Sequence, residues 1–156
     1  MFILGSRNAN LDQKKFIKYI CNFLFDLKFI PRGKTSLKKL FEKSKYFSYN
    51  YFLICSKVRG FKDKSLLNIY KLNGNNYLLD KKYIISNIEY VSNISKIKNQ
   101  FCEINDFKDI FYFLDSKYKS KDENYTYKLD LNNKLSFICK DKELGFSFNL
   151  EKVIIC

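Results

Sequence analysis

The spacing of apolar residues changes character several times along the chain, and each change marks an element. Phe2 to Gly5 is a short apolar run closed by the polar Ser6-Arg7-Asn8-Ala9-Asn10, which predicts a first strand and a turn. From Leu11 the period becomes helical: Phe16, Ile17, Ile20, Cys21 and Leu24 share one face, and Lys14, Lys15 and Lys18 fall on the other. Lys28 to Pro31 predicts a second strand and Arg32-Gly33-Lys34 a turn. Thr35 or Ser36 can then cap a helix whose apolar stripe is Leu37, Leu40, Phe41 and Phe47. Tyr51 to Cys55 is apolar without interruption, as a strand buried on both faces should be. The predicted order is strand, helix, strand, helix, strand.

After Arg59-Gly60 the pattern turns to strands. Leu66 to Leu72 is followed by the hairpin signal Asn73-Gly74 and an extended region between Tyr77 and Tyr90. Residues 91–105 are polar and carry no clear period. Phe107, Ile110, Phe111, Leu114 and Tyr118 form a helical stripe with Asp106 as its cap, and Lys119 to Asn124 is a charged loop. Tyr125 to Leu131, Leu135 to Lys140 and Leu144 to Ile155 predict three closing strands. In the last, Leu144, Phe146, Phe148 and Leu150 alternate with Gly145, Ser147 and Asn149, which predicts a sheet with one buried face. The expectation is one α/β unit, 1–156, made of two packed halves, 1–90 and 91–156, each a sheet with helices.

Composition changes this picture by adding charge. The 156 residues carry 29 Lys+Arg against 16 Asp+Glu, a formal +13, yet 46% are hydrophobic and one is proline, so the charge is displayed on a folded surface. It is also one-sided. Residues 1–78 hold 16 basic and 4 acidic side chains, whereas 79–156 hold 13 and 12. A one-sided basic field points to a polyanion partner, nucleic acid before membrane. No apolar stretch approaches the roughly 20 residues of a membrane span, and Met1 to Gly5 is too short for a signal peptide.

Several chemistries are excluded. Without histidine there is no Ser-His-Asp or Cys-His nucleophilic site and no imidazole ligand for a metal. The five cysteines, at 21, 55, 102, 139 and 156, form no CxxC pair, and Cys21, Cys55 and Cys139 lie in apolar runs as buried thiols do. That usage suits a reducing, intracellular compartment. Gly33-Lys34-Thr35 has the tail of a phosphate-binding loop, but the required first glycine is replaced by Lys28. Asp106 and Asp109 fit a cap and a surface position better than a catalytic pair. No cofactor or small-molecule substrate is expected.

Arginine is the scarce cation, three against 26 lysines, and all three stand just past a predicted strand. If the strands before Arg7, Arg32 and Arg59 are parallel, their C-terminal ends share one edge of the sheet. That is where open α/β folds hold ligands, and a planar guanidinium suits phosphate oxygens. Gly33 and Gly60 would let the backbone approach a phosphate or adopt positive φ. Lys34, Lys38, Lys57 and Lys62 join Arg7, Arg32, Gly33 and Arg59 in a candidate nucleic-acid-binding set, and further lysines at 39, 43, 45 and 64 add salt-sensitive affinity. Most of the 28 Phe and Tyr side chains lie on apolar faces, leaving Tyr46, Tyr49 and Phe61 as candidates for base stacking.

The words themselves also resemble a family. Ser6-Arg7-Asn8 before the first helix, then Ile30-Pro31-Arg32-Gly33-Lys34-Thr35-Ser36-Leu37-Lys38-Lys39-Leu40, then Phe52-Leu53-Ile54 leading to Lys57-Val58-Arg59-Gly60, resemble the Brix domain of ribosome-biogenesis factors. Glu143-Leu144-Gly145-Phe146-Ser147-Phe148-Asn149-Leu150 is similar to that family's closing strand, although Phe146-Ser147 replaces its usual Pro-Arg. The family's Leu-Pro-x-Gly-Pro-Thr hairpin is absent, Tyr70 to Asn76 being polar and shorter. The resemblance implies an anticodon-binding-domain-like fold and a non-enzymatic role in pre-rRNA processing and subunit assembly. It also implies that Ser6, Arg7, Arg32, Gly33, Lys34 and Arg59 are recurrent polar turn residues of the family, which makes the candidate set RNA-binding and adds Ser6 to it. The minimal form is similar to the single archaeal member or a reduced eukaryotic one, and the Ser-Arg-Asn and Arg-Gly words favour the small-subunit processome branch. Its implied partners are pre-rRNA, the U-three small nucleolar RNA and other assembly factors, in the nucleolus if the source is eukaryotic and the cytoplasm if archaeal. A free-standing anticodon-binding-like module acting on tRNA or a synthetase is the alternative, and a phosphoryl-transfer enzyme using the Gly-Lys-Thr turn is a third class.

Overall fold

The computed structural model describes residues 2–23, 27–31, 33–90, 125–129, 132–139 and 142–153. Its elements run β1 (Phe2–Gly5), α1 (Leu11–Phe23), β2 (Lys28–Phe29), α2 (Leu37–Tyr46), β3 (Tyr51–Lys57), β4 (Ser65–Asn73), β5 (Asn76–Glu89), β6 (Tyr125–Leu129), β7 (Lys134–Cys139) and β8 (Lys142–Val153). The strands form one sheet in the order β2-β1-β3-β4-β5-β8-β7-β6. β1 is parallel to both β2 and β3, with Phe2 opposite Lys28 and Gly5 opposite Cys55, and every later pairing is antiparallel. The expected strand-helix-strand-helix-strand order is therefore present, although β2 is two residues long rather than four. The helix expected over 107–118 lies outside the described residues, as do Leu24 and Arg32.

Helix α1 is locked at its start by a reciprocal pair that closes two otherwise orphaned amides: Asn10 N–H donates to Gln13 Oε1 at 2.8 Å, and Gln13 N–H donates to Asn10 Oδ1 at 2.9 Å. Its apolar stripe, Phe16, Ile17 and Ile20, packs on one face of the sheet with Ile3, Leu53, Cys55, Leu67, Ile69 and Phe148. Helix α2 begins at Ser36, whose Oγ accepts the Lys39 amide at 3.3 Å, and places Leu40 and Phe41 on the other face against Leu4, Phe52 and Ile54. β3 thus sends alternate residues into two cores, and all of Tyr51 to Cys55 is buried. An uninterrupted apolar run is the only pattern that satisfies both faces.

Two expectations need correction. Phe47 does not join the apolar stripe of α2: it is the residue that ends the helix, half exposed, beyond the turn that faces the core. On β8, Phe146, Phe148 and Leu150 are buried as expected, but Ser147 is buried as well. Its hydroxyl donates to Glu89 on β5, which also accepts from Lys134 Nζ at 2.9 Å, so a small polar network fills that site. These two hydrogen bonds, Ser147 first, hold the Glu89 carboxyl below the usual carboxylate range. Cys55, fully enclosed, and Cys21 are free thiols pushed up to about 12 by burial, which makes them inert small hydrophobes.

Candidate nucleic-acid interface

The parallel register decides where the polar turns lie. Because Gly5 stands opposite Cys55 and Ile3 opposite Phe29, the segments that follow β1, β2 and β3 all leave the same edge of the sheet. Backbone bonds continue the register past the strand ends, Ser6 N–H donating to the Cys55 carbonyl at 2.7 Å and Ile30 N–H to the Ile3 carbonyl at 3.1 Å. Both helices also start here, which adds the partial positive charge of two helix N-termini.

The described members of the predicted set divide cleanly. Arg7 is exposed in the first turn, beside the half-buried Ser6. That turn is tight: Ala9 N–H returns to the Ser6 carbonyl at 3.1 Å, and a Cβ on Gly5 would meet Ala9 Cβ at 2.8 Å. Gly33, Lys34 and Lys38 are exposed on the second turn and the first turn of α2, and Lys57, Arg59 and Lys62 are exposed on the third. Gly33 and Gly60 both have positive φ, 54° and 81°, with open space where a Cβ would stand. Glycine is required there by conformation, not by a close neighbour. Along these turns and the first turns of both helices the described acids are Asp12 and Asp63 alone, so the edge is strongly cationic.

The three aromatic candidates do not stay together. Phe61 lies in the Arg59 turn, half exposed, with Lys64 Nζ 5.0 Å above its ring. Tyr46 and Tyr49 belong to the opposite edge, because α2 runs back across the sheet and ends beside the start of β3. Tyr46 is 83% exposed, whereas Tyr49 packs against the core beneath α2.

One residue that positions this edge escaped the sequence reading. Gln13 is almost fully buried, and besides capping α1 its Nε2 donates to Ser65 Oγ at 3.3 Å across 52 residues of chain. Ser65 in turn hydrogen-bonds the Cys55 side chain. The start of α1, the end of β3 and the start of β4 are tied at one point directly behind the Arg7 and Arg59 turns. The Asn10-x-x-Gln13 spacing is a recognisable capping signature, and it would have flagged Gln13 as a residue with a structural task.

No family model matches the sequence, and no curated protein matches it either. Solved structures do match by shape. A probable ribosomal biogenesis protein from Aeropyrum pernix K1 superposes with a TM-score of 0.66 at 12% identity, covering 99% of this chain and 96% of its own. Mil, an archaeal Imp4-like protein, superposes with a TM-score of 0.66 at 11% identity, covering 97% of each chain. Over essentially its whole length, the chain has the α/β fold of these archaeal proteins, the Brix-like architecture that its turn motifs imply.

Proposed function

We propose that the protein is a non-enzymatic, RNA-binding assembly factor of the Brix type, acting in pre-rRNA processing and ribosomal subunit biogenesis, on the small-subunit side. The observation that carries the reading is the shared edge. The turns holding Arg7 and Arg59, with Lys34, Lys38, Lys57 and Lys62, leave one edge of the parallel β2-β1-β3 part of the sheet beside two helix N-termini. Guanidinium groups and helix N-termini are matched to phosphate oxygens, and an exposed cationic edge suits a polymer better than a small substrate. Arg32, which stands between Pro31 and Gly33 in the sequence, completes the arginine set. The near-neutral remainder of the sheet would then serve as scaffold and as a surface for other assembly factors. The full-length likeness to a ribosomal biogenesis protein and an Imp4-like protein supports this reading.

Crosslinking in cells followed by sequencing of the attached RNA tests it. Enrichment of precursor rRNA, with or without U-three small nucleolar RNA, is the expected outcome. Enrichment of tRNA in place of precursor rRNA would contradict the assembly role and favour an anticodon-binding-like module.

A further inference from the structure

The outer surface of α2 joins the cationic edge to a cluster of exposed aromatic rings at its far end. Tyr46 is 83% exposed and Phe47 51% exposed. Their rings meet edge to face at 5.1 Å, and Phe47 stacks on Tyr49 at 5.8 Å, which is itself packed on the core. The backbone that carries Phe47 and Tyr49 is fixed by hydrogen bonds to the last turn of α2. Phe47 N–H returns to the Lys43 carbonyl at 3.1 Å, Ser48 N–H to Lys45 at 3.0 Å and Tyr49 N–H to Ser44 at 2.8 Å, with Ser48 at a positive φ of 56°. A non-glycine residue in that conformation costs energy, and here it turns the chain so that Phe47 stands out from the core and Tyr49 lies under it.

The approach to these rings is basic. Lys39, Lys43 and Phe47 follow one another at helical spacing, with Lys38 and Lys45 exposed on either side, and Glu42 is the one acid of the helix. Lys45 Nζ bonds Asn75 Oδ1 at 2.9 Å, anchoring this end of α2 to the β4–β5 hairpin. Ten helical residues span roughly 15 Å, enough for a few nucleotides of a stacked single strand at about 3.4 Å each.

We propose that this surface is a second RNA contact, separate from the arginine edge: an unpaired RNA segment lies along α2, its phosphates on Lys39 and Lys43 and a base stacked on Tyr46 or Phe47. Exposed rings at the end of a lysine stripe are the recurring components of single-strand binding. The inference stands independently of the arginine-edge reading, because it rests on the rings at the far end of α2, whose loss is read on a base-bearing strand against an abasic one.

Fluorescence anisotropy at several salt concentrations tests it, with a short oligoadenylate and an abasic strand of equal length as probes. Tyr46→Ala with Phe47→Ala, both at exposed positions, should weaken oligoadenylate at least about fivefold, the lower end for one lost stack. The salt slope and the affinity for the abasic strand should not change. Tyr46→Phe should bind as the parent does. Equal affinity of the double variant and the parent for oligoadenylate would overturn the proposal, as would equal losses on both probes. If RNA binding is untouched while a protein contact is lost, the rings are a protein-docking surface and the proposal is again wrong. Either failure leaves the arginine edge intact, since Arg7→Gln and Arg59→Gln in the same assay should lower the salt slope whether or not the rings matter.

Discussion

β3 and β8 belong to the same sheet and satisfy burial in different ways. Every residue of β3 from Tyr51 to Cys55 is buried, because α1 covers one face and α2 the other. β8 sends Phe146, Phe148 and Leu150 to one face and presents Asn149 and Glu151 on the other. The difference explains where charge can go. Around β3 no sheet face is left for ionic side chains, so they are confined to the outer sides of the helices and to the turns beyond the strand ends, and Lys and Arg concentrate there. Around β8 the second face takes polar groups of both signs, such as Glu89 with Lys134.

The sharpest way to break this comparison is to substitute adjacent residues on each strand and follow urea unfolding. Leu53→Ala and Ile54→Ala point into different cores, and each should cost about 2–5 kcal/mol. On β8, Phe148→Ala should cost about 3–5 kcal/mol, while Asn149→Ala should stay within roughly 0.5 kcal/mol. A tolerated substitution at either β3 position would mean that one of its faces is not a real core.

A smaller effect sharpens the link between core and edge. Gln13→Ala removes the cap of α1 and leaves Ser65 short of a partner, for an expected loss of about 1–2 kcal/mol. Because Gln13 sits behind the Arg7 and Arg59 turns, amide exchange should rise at residues 6–13 and 57–65 and remain unchanged in β7 and β8. Protection lost uniformly across the sheet would show that Gln13 contributes to global stability only.

Much of this was legible in the sequence, for identifiable reasons. The buried parallel strand announced itself as an unbroken apolar run, α1 and α2 as stripes at helical spacing, and the β4–β5 hairpin as Asn73-Gly74. The common edge of the arginine turns followed from topology alone, because two helical crossovers require parallel strands. What the sequence could not reveal depended on where a helix stops and on long-range pairing. Phe47 fits the helical period of α2 as well as Phe41 does, and only the end of the helix one residue earlier moves it into solvent. Tyr46 and Phe61 are equally aromatic and flanked by lysines, yet the direction of α2 places them on opposite edges. Ser147 reads as an outward residue by alternation, yet it is buried and its hydroxyl bonds Glu89, 58 residues away in the chain.

The central claim is that the edge beyond β1, β2 and β3 grips RNA phosphates, and the salt dependence of RNA affinity tests it most directly. For the triple variant R7Q/R32Q/R59Q, with the fold verified by its unfolding transition, the slope of log affinity against log salt should become shallower by about 2 to 3, the value of three lost phosphate contacts. A folded triple variant that binds precursor rRNA with the parent's affinity and the parent's slope would contradict the account.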